Sequence, residues 1–385
     1  MSSEAASRSL SDRRAVAAGA ASGLFLVCWG LVHRFFWAHG QLVDWPVYRF
    51  YGDTIVHHGL VPYRDFPVEY PPGALPVFAL PSLVGSYASS FAWLMAAFGV
   101  ALVLVVGRLR TGAAFYVALA PVLAGSLILS RFDLWPALLA TAALLAFLRD
   151  RDGIGWALLG AAVAAKLWPL VVVPLALVWS VRRGHTRAPF AGLAVVAAIF
   201  LPFAVIAPGG LWSSITGQLS RPLQIESLGA GFLTTFGDPR IVTSHGSQNI
   251  AGHGALAALV ALLQIGLLVG LWVAFARGTV TRDRLIRFAA ASVCIFVAFG
   301  KVLSPQFLLW LVPVVPLVVG RRGIAALGLL TTALLLTQIW FPERYWAYAE
   351  RFQLAWVVLA RDLVLVALAG VLSWPDRSNG LARTA

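Results

Sequence analysis

Charge is scarce in this chain. Only 12% of its 385 residues are charged, against 60% hydrophobic, and the mean hydropathy is +0.83. A soluble domain carries about twice that charge fraction, on the order of 25%. Lysine is nearly absent, with Lys166 and Lys301 standing beside 27 arginines. Cysteine stops at Cys28 and Cys294, both inside apolar runs, which argues for packing and against a disulfide or a metal site. Neither G-x-x-x-x-G-K-[ST] nor G-x-G-x-x-G occurs, so the two common phosphate-cradling loops are excluded. His57, His58 and His253 have no metal-ligand spacing, and HExxH is missing. Apolar residues do not alternate with period two, which excludes a membrane barrel. No inverted repeat is evident, which counts against a secondary transporter.

What the chain has is long apolar runs, such as "FAWLMAAFGVALVLVVG" (91–107) and "ALAALVALLQIGLLVGLWVAF" (255–275). About 20 apolar residues cross the hydrocarbon layer as a helix. The fold class is therefore an all-α polytopic membrane protein, read as a single domain over 1–385. The net charge of +13 invites a nucleic-acid reading, but its distribution refuses it. The arginines cluster between apolar runs: Arg13-Arg14, Arg108/Arg110, Arg149/Arg151, Arg182-Arg183/Arg187, Arg277 to Arg287, Arg321-Arg322 and Arg377/Arg383. That is the positive-inside pattern, and it marks the cytoplasm.

Anchoring those clusters inside predicts cytoplasmic tails at 1–14 and 373–385, in a plasma-membrane protein with both termini inside. The first helix (about 15–35) is retained and runs outward. The loop 36–90 and the segment 208–254 face outside, and helices are expected near 91–107, 113–129, 134–148, 188–207, 255–275, 323–340 and 353–372. Residues 154–180 and 288–320 each lie between two cytoplasmic clusters. Two passes of about 12 residues rise only about 18 Å, too little to span. Each stretch is therefore read as a re-entrant or tilted pair with an outward tip, at "AAKLWP" (164–169) and "GKVLSPQ" (300–306). Irregular backbone at membrane depth is tolerated where protein encloses it, so two such tips imply a cavity. The total is about 10–12 transmembrane or re-entrant segments.

Against this background the stretch 44–72, "DWPVYRFYGDTIVHHGLVPYRDFPVEYPP", is conspicuously loaded. Its prolines and aromatics make a stiff surface with stacking faces suited to sugars and lipid headgroups. Asp44 alone reads equally as a solvated helix flank, and an aromatic belt would account for the rings, but a belt does not require Asp53, Asp65 and Glu69. Both lysines fall at the proposed tips. A cation at membrane depth marks function by default, snorkelling being the alternative, and a compact ammonium suits phosphate. Arg131 and Asp133 in "SRFD" share the outer face, as cavity lining or as helix caps. Arg361-Asp362 in "LARDLVLV" reads as an intramembrane pair inside the bundle. With no cytoplasmic nucleotide site, an enzyme working outside needs an activated donor delivered within the membrane.

Four motifs, in order, carry a resemblance: "DWPVY" from Asp44, "HHGLVPYRDFPVEYPPGAL" (57–75), "LLGAAVAAKLWP" (158–169) and "GKVLSPQFLLWL" (300–311). Together they make the chain resemble the C-type (GT-C) glycosyltransferases, in particular the polyprenol-phosphate-mannose-dependent mannosyltransferases of family 87. The chain is also similar to the catalytic subunit of glycosylphosphatidylinositol mannosyltransferase I. The resemblance implies a GT-C fold with a functional first external loop, and an inverting enzyme. It would move mannose, or next arabinose, from a polyprenyl phosphate to a lipid or glycan acceptor, with Asp44 as general base. The eukaryotic subunit has D-x-D here, whereas this chain has Leu42 at the first position, so a divalent cation is left open without its usual ligand pair. Glu69 stands where that relative has a cation. The implied substrate-binding set is Tyr48, Asp53, Tyr63, Arg64, Glu69 and Tyr70 in the loop, then Arg131 and Asp133, and Lys166, Lys301, Ser304 and Gln306 at the tips. The rival class is a transporter or lipid flippase, which would need polar groups reaching both faces.

Overall fold

The computed structural model describes residues 3–36 and 44–375 of the chain. Among the described residues six helices are long and apolar enough to cross a membrane: Arg13–Phe35 within α1 (Ser3–Phe36), α4 (Tyr87–Leu109), α11 (Pro189–Ile206), α14 (Gly254–Arg277), α16 (Gly320–Trp340) and α18 (Ala355–Ser373). The chain is an all-α, multi-pass membrane protein. Helix α11 shows why water is excluded as its solvent. Its window has hydropathy 2.4 and almost none of it is covered by protein, with Phe190, Leu193, Leu201 and Val205 all exposed. Such a surface is stable only against lipid.

Between the long helices lie shorter ones. Helices α2 (Trp45–Val56) and α3 (Leu75–Ala79) precede α4. Helices α5 (Thr111–Ala118), α6 (Ala120–Ala124), α7 (Leu127–Ser130), α8 (Leu134–Phe147), α9 (Asp152–Ala165) and α10 (Val173–Arg182) precede α11. Helices α12 (Pro208–Leu219) and α13 (Leu228–Phe236) and a hairpin, β1 (Ile241–Ser244) with β2 (Ser247–Ile250), precede α14. Helix α15 (Arg282–Ala298) precedes α16, and α17 (Tyr345–Arg351) lies before α18. Five shorter apolar helical segments accompany the six long ones.

Both expected interruptions are present. Helix α9 has 14 residues, rises about 21 Å, and stops at Lys166, which is extended at φ −160°, ψ 142°. Pro169 and Pro174 then restart the chain as a 3₁₀ turn (Trp168–Val172) and as α10. Helix α15 likewise ends at Ala298, and the chain resumes at Pro305 in another 3₁₀ turn. Close packing holds the halves against the bundle. A Cβ added at Gly160 would sit 2.5 Å from the Gly192 carbonyl oxygen, so α9 and α11 meet through small residues.

One expected helix changes and two segments gain detail. The described part of 36–90 is largely helical, with α2, an apolar helical segment (Pro72–Leu83) and the start of α4. The single helix expected over 113–129 is three, since Pro121 and the left-handed Gly125 (φ 59°) interrupt it. The polar N-terminal residues from Ser3 on are helical and continuous with α1. Leu42 and residues 376–385, including the rest of the C-terminal tail, lie outside the described residues.

The arginine clusters converge on one end of the bundle. Arg183 and Arg282 both pair with Asp150, Arg182 donates to the Ala276 carbonyl, and Arg110 donates to Pro316 and Val318. Because the helices alternate in direction, the breaks at Lys166 and Lys301 lie at the opposite end.

Candidate active site

At that opposite end a cavity of about 340 Å³ opens. Asp44 reaches it from the N-cap position of α2, and Glu69 and Tyr70 from the turn ahead of Pro72. Arg131 comes from between α7 and α8, and Ser304 and Gln306 from the break after α15. Three of the four motifs of the sequence thus meet in one place, and the one at 158–169 contributes nothing to the lining. Asp44 is ion-paired with Nη1 of the buried Arg131, and the Tyr48 hydroxyl points at Asp44 Oδ2 from 3.4 Å.

The segment between α12 and α13 contributes what sequence reasoning missed. Arg221, Gln224 and Glu226 line the cavity, with His245 and Gln248 from the hairpin and Tyr345 from α17. Arg221 donates from Nη2 to Ser247 Oγ at 2.9 Å, while its buried Nε has no partner. Glu226 is 2% exposed, and its Oε2 also has no partner. Burial pushes its carboxyl up to about 7, although Arg361 pulls the other way. The signal in the sequence was a single Arg and a single Glu in "SRPLQIES" (220–227), too sparse to separate from a solvated linker.

Other expected residues stand outside the lining. Lys166 Nζ is 2.7 Å from Asp133 Oδ1 and lies over the Phe132 and Trp310 rings at 4.7 and 5.3 Å. Lys301 donates to the Leu219 carbonyl at 2.8 Å. Asp53 is bound by Arg49 at 3.0 Å and by Ser82 at 2.8 Å, on the far side of α2. Arg64 pairs with Asp65 on the surface. Tyr63 acts as a brace, its hydroxyl donating to the Tyr70 carbonyl at 2.6 Å. Tyr63 and Arg64 line a neighbouring groove of about 440 Å³ that shares Glu69 and His245 with the cavity.

A larger hollow of about 690 Å³ lies at the arginine-rich end. Asp150 pairs there with Arg183 and Arg282, and Asp152 Oδ2 accepts from Ser180 Oγ at 2.6 Å and lies 3.1 Å from His185, while Asp152 Oδ1 is buried without a partner. The smaller cavity is the better chemical site, because it gathers residues of three of the sequence motifs beside unpartnered buried atoms of Arg131, Arg221 and Glu226. Among the described residues, no three His, Cys, Asp or Glu side chains are grouped so as to hold a metal ion.

A sequence model of glycosyltransferase family 87 matches residues 68–305. The chain belongs to that family. A search of curated proteins found no match. This family 87 glycosyltransferase carries Glu69, Arg131, Arg221, Glu226 and Ser304 inside the matched residues, whereas Asp44 precedes them. As a glycosyltransferase it must bring a sugar donor and an acceptor together, and the cavity with its adjoining groove offers two connected compartments.

Proposed function

We propose that the enzyme transfers a mannosyl group from a polyprenyl phosphate to a hydroxyl of a lipid or glycan acceptor, at the external face of the plasma membrane. The observation that carries this reading is the meeting of Asp44 with two arginines, Arg131 and Arg221, in one cavity at the end of the bundle opposite the arginine clusters. By the positive-inside rule that end faces outward, where nucleotide sugars are absent and a membrane-borne donor is needed.

In the proposed step the acceptor oxygen bonds to the anomeric carbon as the bond from that carbon to the phosphate oxygen breaks. The Asp44 carboxylate takes the hydroxyl proton, and the electron pair leaves on the polyprenyl phosphate. Single displacement inverts, so a β-linked donor gives an α-linked product. The ion pair with Arg131 holds the Asp44 carboxylate in place in the cavity. Arg221 offers its unpartnered Nε to the phosphate and offsets the charge that develops on the leaving group. The phosphate role expected of Lys166 and Lys301 passes to Arg221 in this scheme, because both ammonium groups have protein partners and stand outside the cavity lining.

The test is to supply membranes containing the enzyme with radiolabelled polyprenyl-phosphate mannose and identify the labelled product. Label that stays entirely on the donor lipid, with a range of membrane acceptors present, would sink the reading.

A further inference from the structure

Resting on the proposed function, we propose that Glu226, which lines the cavity with Asp44 and Arg131, holds a hydroxyl of the sugar being transferred through its buried, unpartnered carboxyl oxygen. The segment that carries it is fixed by main-chain bonds on several sides. Arg361 donates to the Glu226 carbonyl at 2.8 Å, the Tyr348 hydroxyl to the Ile225 carbonyl at 2.6 Å, and Gln224 N–H to the Lys301 carbonyl at 3.0 Å. Arg361 and Asp362 are themselves fully buried and paired at 2.7 Å. The intramembrane pair therefore anchors the backbone of this segment, and the Glu226 side chain is not needed for that purpose.

That leaves a carboxyl group 2% exposed, lining a cavity, with Oε2 unpartnered. A buried carboxyl oxygen with no hydrogen bond is destabilising, so its retention points to a ligand. A phosphate is a poor ligand, since it repels the ionised form of Glu226 and Arg221 already supplies the cation for it. A sugar hydroxyl is the right one, because it can donate to the carboxyl oxygen. The donor sugar fits better than the acceptor on position. The groove beyond Glu69 and His245 joins the cavity at its exposed rim, which suits an arriving acceptor, whereas Glu226 sits in the buried wall. A rigid, preorganised group of this kind is how a site selects one sugar from another.

The experiment measures binding of undecaprenyl phosphate, with and without mannose attached, to the purified full-length enzyme and to Glu226→Ala and Glu226→Gln. The wild type should bind the mannose-bearing lipid more tightly. Glu226→Ala should lose that preference, by about tenfold, with binding of the bare phosphate unchanged. Glu226→Gln keeps the volume of the side chain and should retain part of the preference. If both variants keep the wild-type preference, or weaken both lipids equally, Glu226 is structural and the proposal fails while the donor reading stands. Wild-type enzyme that binds neither lipid overturns the donor reading and this proposal together.

Discussion

Lys166 and Asp133 form a buried ion pair directly behind the cavity, with 2.7 Å between Nζ and Oδ1. The same oxygen accepts Trp310 Nε1 at 2.6 Å. One carboxylate therefore ties the break after α9 to the break after α15, with the ammonium capped by aromatic rings. Removing one partner of a buried pair costs about 3–5 kcal/mol, because the other charge is left uncompensated. Lys166→Met and Asp133→Asn should each lower the thermal midpoint in detergent by several degrees, and the double variant should lose less than the two combined. A Lys166→Met enzyme of wild-type stability with a raised donor KM would restore Lys166 as a phosphate ligand.

Asp44→Asn should abolish transfer while leaving donor binding largely intact. Loss of a general base costs about 10²–10⁴-fold in rate. Rates near wild type in purified Asp44→Asn would move the base to Glu69 or Glu226, the other carboxylates lining the cavity.

Arg221 is expected to set affinity for the donor phosphate. Arg221→Ala should raise the donor KM by at least about tenfold, in keeping with the loss of a charged hydrogen bond. Arg221→Lys should recover only part, since an ammonium cannot reproduce the planar fork. The acceptor KM should change little. A donor KM unmoved by Arg221→Ala would leave the phosphate without a cation in this scheme.

The raised pKa of Glu226 gives stability a pH dependence of known sign. The unfolded chain loses this proton near 4.5, and the folded protein holds it to about 7. Between those values the folded state binds more protons, so stability falls as pH rises. The contribution is complete below about 4.5 and is lost as pH passes through about 7. Glu226→Gln removes the titration, so its thermal midpoint should gain on the wild type between pH 5 and pH 8. Parallel curves for the two proteins over that range would contradict the assignment.

Sidedness can be read with thiol labelling. Cys28 and Cys294 are buried and can be replaced first. In intact cells an impermeant reagent should then modify Ser86→Cys, at the exposed start of α4, and spare Thr279→Cys, at the arginine-rich end. The reverse pattern would invert the topology and place the cavity in the cytoplasm.

The membrane class, most of the long helices and both interruptions were legible in the sequence because each depends on a local sum. Apolar length decides whether a helix can span. Proline and an insufficient rise decide where it cannot continue, as at Lys166 and before Pro305. The first loaded stretch was legible for the same reason, since Asp44, Glu69 and Tyr70 are crowded into a few turns of chain. Its internal helices were not, because Trp45–Val56 owes its form to packing Tyr48 and Tyr51 against Phe78. Which charges meet was decided only by tertiary structure. The two lysines looked free in the sequence, and folding gave one to Asp133 and the other to the Leu219 carbonyl. Arg221 and Glu226 looked like linker, and folding set both in the cavity wall with buried atoms to spare. Hydropathy is a property of neighbours along the chain, whereas the pairing of charges across a bundle depends on which helices pack together, and no local pattern encodes it.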